Sequence, residues 1–109
     1  PEINFQANGD LRTCGNSHIE NPEVFYKEAI DWLNEFLGSN KEKINFSIQL
    51  NYVNSSSSKI ILNMIVAAKE SGSDLNVIWQ YEEEDYDIIE LGESLQTISG
   101  LTFEFLKLD

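Results

Sequence analysis

The sequence predicts an α/β fold: a single mixed β-sheet packed with helices, in the order β-β-α-β-α-β-α-β. Three observations predict it. Apolar residues alternate at period two in some segments and recur at helical spacing in others. Asn, Pro and Gly punctuate the boundaries between them.

The first two strands are EINFQ and LRTCG, joined through ANGD, where Asn8-Gly9 is a hairpin dipeptide. The first helix lies in NPEVFYKEAIDWLNEFLG. Asn21 caps it, Pro22 suits the first helical position, an acid sits in the first turn, and Gly38 is expected to follow its end. Tyr26, Ile30, Leu33 and Leu37 form its inward stripe, widened by Phe25, Ala29, Trp32 and Phe36. The next strand alternates from Ile44 through Phe46, Ile48 and Leu50 to Tyr52, giving one apolar face. The run of serines opens a second helix that reaches about Ser71 and stops at Gly72. LNVIWQYE is a strand with Leu75, Val77, Trp79 and Tyr81 on one face. A third helix is expected from about Asp85 to Ser99, with Ile88, Leu91, Leu95 and Ile98 inward, and LTFEFLKL closes the sheet. Strand order is not readable, because parallel pairing leaves no local turn signature.

With 109 residues, no internal repeat and no long linker, one domain spanning 1–109 is expected. Nineteen acids against seven bases give a net charge of -12, and the pI is near 4.2. Such a surface repels nucleic-acid backbones and anionic membranes and favours basic partners. No run approaches the roughly 20 apolar residues of a membrane span, and no basic-then-apolar leader opens the chain. It starts at Pro1 without methionine, which points to a processed or trimmed start. A single cysteine, Cys14, excludes an internal disulfide and fits a reducing, cytoplasmic setting; Cys14 itself reads as an interior strand residue.

The stretch Asn54 to Val66 carries the most specific site. Capping a helix takes one polar residue, yet Ser55, Ser56, Ser57 and Ser58 stand in a row. On a grid of roughly 100° per residue, Ile60, Ile61, Met64, Ile65 and Ala68 face the sheet. Ser57 points inward with them, and Ser56 and Ser58 lie on the flanks. Ser55 points outward where the helix already includes it, and an N-cap at Ser55 would turn it elsewhere; Lys59 lies one turn on, with Leu62 and Val66 continuing the outer stripe. The plain structural reading is a capped helix whose outer face a neighbour partly covers. The functional one is a modifiable hydroxyl at the edge of a partner-binding patch. A phosphate there adds roughly -1.5 to -2 charge at a helix end that favours anions. A switch of this kind acts at the interface and not by unfolding.

Other residues carry less. The acidic run Glu82 to Asp87 invites a metal, and with it a small-molecule or metal-binding enzyme. It lacks the D-x-[DN]-x-[DN]-G spacing of a calcium loop, and a solvated helix start or a contact for basic partners suits it better. His18 has Ser17 beside it, but adjacency does not make a triad. Gly38, Gly72, Gly92 and Gly100 are isolated, so no phosphate-cradling loop is present. Catalysis, metal and cofactors are not expected.

Several segments together resemble the SiaC family of bacterial biofilm-regulation phosphoproteins: PEINF, NPEVFYKEAIDWLNEF with Asp31-Trp32-Leu33, YVNSSSSKIILNMI, VIWQYEEEDYDIIELGE and the closing FEF. The most specific is the asparagine–hydroxyl–small–serine segment from Tyr52 to Lys59, followed by the W-x-Y-E-E strand end. The resemblance implies a fold similar to the STAS domains of anti-sigma-factor antagonists. It also implies partner switching: a Ser/Thr kinase phosphorylates a hydroxyl at the start of the helix after the third strand, and a PP2C-type phosphatase reverses it. The unmodified form then binds and activates a diguanylate cyclase or serves another regulatory protein. The hydroxyl after the asparagine is Ser55, preceded by Asn54, where the family usually has threonine.

Overall fold

The structure is a computed structural model that describes residues 2–17, 21–39 and 42–108; His18 lies outside the described residues. The expected element order is observed: β1 (Glu2–Phe5), β2 (Asp10–Ser17), α1 (Pro22–Ser39), β3 (Ile44–Val53), α2 (Ser55–Glu70), β4 (Leu75–Glu82), α3 (Tyr86–Ser99) and β5 (Glu104–Leu108). All five strands form one sheet in the order β1-β2-β3-β4-β5. The β1–β2 hairpin is antiparallel and the other three pairings are parallel.

This order decides where the helices go. Each of α1, α2 and α3 links adjacent parallel strands, and right-handed crossovers advancing in one direction place all three on the same face. The buried side chains agree. Leu11, Phe46, Ile48, Val77 and Trp79 alternate along the strands and join Leu33, Ile61, Met64, Ile65 and Leu95 from the helices in one core. The opposite sheet face carries Asn45, Ser47, Gln49, Asn76 and Gln80, all half-buried. Polar residues suit that face because no helix covers it.

Five details differ from the sequence reading. Phe25, read as widening the inward stripe of α1, is 43 % exposed. Gly38 lies inside α1, which continues through Ser39. Tyr52 is 53 % exposed and not part of the apolar face. Pairing passes from Gly15–Leu50 to Asn16–Tyr52 and skips Asn51, and this bulge breaks the period-two alternation. Ile98 is 66 % exposed, because the last inward position of α3 belongs to Ser99, which is buried. The closing strand starts only at Glu104. Before it, the Phe103 N–H donates to the Gln96 side chain at 2.8 Å, so it is not available to a strand ladder.

Cys14 sits on β2 inside the sheet, but its thiol lies off the core, 3.4 Å from Oε2 of Glu2. Partial burial, then the neighbouring Glu2 carboxylate, raise its pKa above the usual thiol value, which keeps it protonated and slow to react. Gly92 is a packing position. A Cβ there would come within 2.5 Å of the Trp79 indole, whose Nε1 donates to the Ile88 carbonyl at 2.9 Å.

Candidate functional site: the β3–α2 corner

α2 is the middle helix of the layer, with α1 on one side and α3 on the other. Its N-terminus stands where β3 ends. Asn54 is still extended (φ -80°, ψ 166°), as an N-cap requires. Its side-chain oxygen accepts the Ser57 N–H at 2.9 Å, and its carbonyl accepts the Ser58 N–H at 2.9 Å. Ser58 Oγ donates back to the Ser55 carbonyl at 2.9 Å. Helix geometry leaves the N–H groups of Ser55 and Ser56 without intrahelical acceptors, and no acid stands in this first turn.

The four serines therefore occupy different surroundings. Ser57 is fully buried, and its hydroxyl finds no hydrogen-bond partner among the described residues. Ser58 is half-buried and bonded to the backbone, while Ser55 and Ser56 are exposed. Lys59 is exposed one turn on. Leu62 and Val66 are half-buried, and Leu62 packs against the edge of the core. The outer stripe is thus open at Ser55 and Lys59 and partly sheltered further along. Tyr52, turned outward by the bulge, lies two residues before the cap and was missed in the sequence, where strict alternation assigned it to the core.

The acidic run builds a different corner. Asp85 caps α3, accepting the Ile88 N–H at 3.4 Å, and Glu83 stands 4.0 Å from Lys107. Glu84 carries the turn with φ 66°. Among the described residues no three His, Cys, Asp or Glu side chains could hold a metal ion together. No described helix is long and apolar enough to cross a membrane.

The corner is thus a neutral, capped helix start bearing exposed hydroxyls, set on an α/β sheet with its helices on one face. Residues 1–108 match the profile of the SiaC family regulatory phosphoproteins, and the chain belongs to that family. It is 29% identical over 98 residues to an uncharacterized protein of Pseudomonas aeruginosa strain UCBPP-PA14, a match covering 87% of this chain and 78% of that one. The fold superposes on the structure of SiaC of Pseudomonas aeruginosa with a TM-score of 0.78 at 27% identity, covering 95% of this chain and 85% of the other. It also matches a chain in the crystal structure of the Pseudomonas aeruginosa diguanylate cyclase SiaD in complex with its activator SiaC. There the TM-score is 0.83 at 24% identity, over 97% of this chain and 90% of the other.

Proposed function

We propose that residues 1–109 act as one cytoplasmic, non-enzymatic adaptor switched by phosphorylation of Ser55. The unmodified form binds and regulates a diguanylate cyclase, as SiaC does in the complex with SiaD that this fold resembles. A Ser/Thr kinase adds the phosphate and a PP2C-type phosphatase removes it. The observation that carries this reading is the sorting of the serines: Ser57 is sealed in the core, Ser58 is tied to the backbone, and of the two exposed serines, Ser55 and Ser56, Ser55 stands directly after the capping asparagine. Asn54 shapes the turn. Lys59 meets the phosphate or the modifying enzymes, and Leu62 and Val66 belong to the edge of the partner surface.

A phosphate on Ser55 sits against unbonded N–H groups and the positive end of the α2 dipole, so the fold tolerates it. The partner then meets a new charge of roughly -1.5 to -2 at the edge of its contact. The test is binding of the cyclase from the same host to the wild type and to Ser55→Asp, alongside phosphopeptide mapping. Weaker binding by the variant with an almost unchanged melting curve is expected. Equal binding by both forms, or a phosphate confined to Ser56, Ser57 or Ser58, sinks the assignment.

A further inference from the structure

A second surface lies at the β1 edge of the sheet, where no further strand pairs among the described residues. β1 is the outermost strand. The Gln6 N–H donates to the Asp10 carbonyl at 3.0 Å and the Gln6 carbonyl accepts the Gly9 N–H at 3.1 Å, so both backbone groups of Gln6 point toward β2. Bonded and unbonded pairs alternate, so with the observed register Asn4–Arg12 and Glu2–Cys14 are bonded. The N–H and C=O groups of Ile3 and Phe5 therefore point outward, in position to pair with another strand.

The side chains of the same two residues face the helices. With Phe25, Glu28, Ala29 and Trp32 of α1 they line a groove of about 400 Å³ beside the edge. Its floor is aromatic: Phe5 and Trp32 lie 5.7 Å apart, and Phe25 is 43 % exposed. Proteins ordinarily blunt such edges with lysine, proline or a covering element. β1 is short and carries Glu2, but neither residue type occurs in Glu2–Phe5, and the two residues with outward backbone groups, Ile3 and Phe5, have apolar side chains.

We propose that this edge and groove take up an extended basic segment of a partner protein as a sixth strand. Successive side chains of an added strand point to opposite faces, so every second residue would enter the groove. The floor selects apolar residues opposite Ile3 and Phe5, and Glu28 selects a lysine or arginine at the next position on that face. Charge argues against a second copy as the occupant, since it would bring its own Glu28 and a further net charge of -12.

The test is titration of the full chain with acetyl-Lys-Thr-Val-Thr-Val-Thr-Lys-amide, followed by amide NMR. Saturable binding is expected, with the Ile3 and Phe5 amides shifting and gaining protection from exchange. N-methylation of both valines should weaken it at least tenfold, Glu28→Lys several-fold, and raised salt likewise. Ile3→Pro removes an outward N–H while leaving the inward bonds of Glu2 and Asn4 in place; it should abolish binding in a still folded protein, with the melting temperature lowered only by the loss of the half-buried Ile3 side chain. Ser55→Asp should bind the peptide like the wild type, which separates this surface from the phosphorylation switch. No shift at Ile3 and Phe5 with millimolar peptide, or equal binding of the N-methylated form, overturns the proposal. So does a concentration-dependent dimer, abolished by Ile3→Pro, that excludes the peptide, because it assigns the edge to a second copy.

Discussion

The β3–α2 and β4–α3 corners stand side by side at the same end of the sheet and solve the same problem with opposite chemistry. Both place an Asx residue at the N-cap, and both bond its side chain to the N–H three residues on, Asn54 to Ser57 at 2.9 Å and Asp85 to Ile88 at 3.4 Å. The α3 corner already holds its negative charge, with Asp85 at the cap and Asp87 in the first turn. The α2 corner has a neutral cap and no acid in its first turn. One helix dipole is met by built-in carboxylates, while the other meets none in its cap or first turn. A covalently added phosphate changes most where the native sequence has supplied no anion.

The largest expected effect tests how firmly the acidic corner is seated. Gly92→Ala drives a methyl into the Trp79 indole and should destabilise the fold by about 1–3 kcal/mol, read as a lower urea midpoint and an altered near-ultraviolet Trp signal. Next, Asn54→Ala should lose about 1 kcal/mol, because its bond is short and directed. Asp85→Ala should lose less through its longer bond; the reverse ranking in urea titrations breaks the comparison. Ser57→Ala removes a buried hydroxyl without a partner and should stabilise the protein by about 1 kcal/mol, and a clear loss there would point to a bond the buried oxygen does make. The smallest pair sharpens the contrast most. Ser55→Asp adds charge at α2 and Asp85→Asn removes it at α3, so stability should move in opposite directions by about 0.3–1 kcal/mol, both changes shrinking in salt.

The α2 corner was legible in the sequence because helical phase is a local property. The apolar spacing from Ile60 to Ala68 orients Ser57 inward and Ser55 outward before any neighbour is known, whereas the identity of the cap, Asn54, is seen only in the structure. Tyr52 was not legible. Its exposure follows from the skipped pairing at Asn51, which depends on how β2 and β3 twist together. Ile98 was misplaced because a polar residue, Ser99, takes the inward position; its hydroxyl bonds the Gln96 carbonyl at 3.0 Å and Lys69 reaches its carbonyl at 2.8 Å. The closing strand was drawn too long since the Gln96 side chain takes an N–H that alternation alone assigns to a ladder. The groove beside β1 joins Ile3 and Phe5 to residues some twenty positions away, and no periodicity reports a contact of that kind.

The strand order β1-β2-β3-β4-β5 also means that the sheet is laid down in the order of synthesis. Each strand lands beside the one made just before it, so no loop closure has to wait for a distant segment. The hairpin can form on emergence from the ribosome and each later β–α unit can dock on a finished edge, which keeps contact order low for a largely parallel sheet. The serine corner is complete once β3 and α2 have been added, while β4, α3 and β5 are still to come.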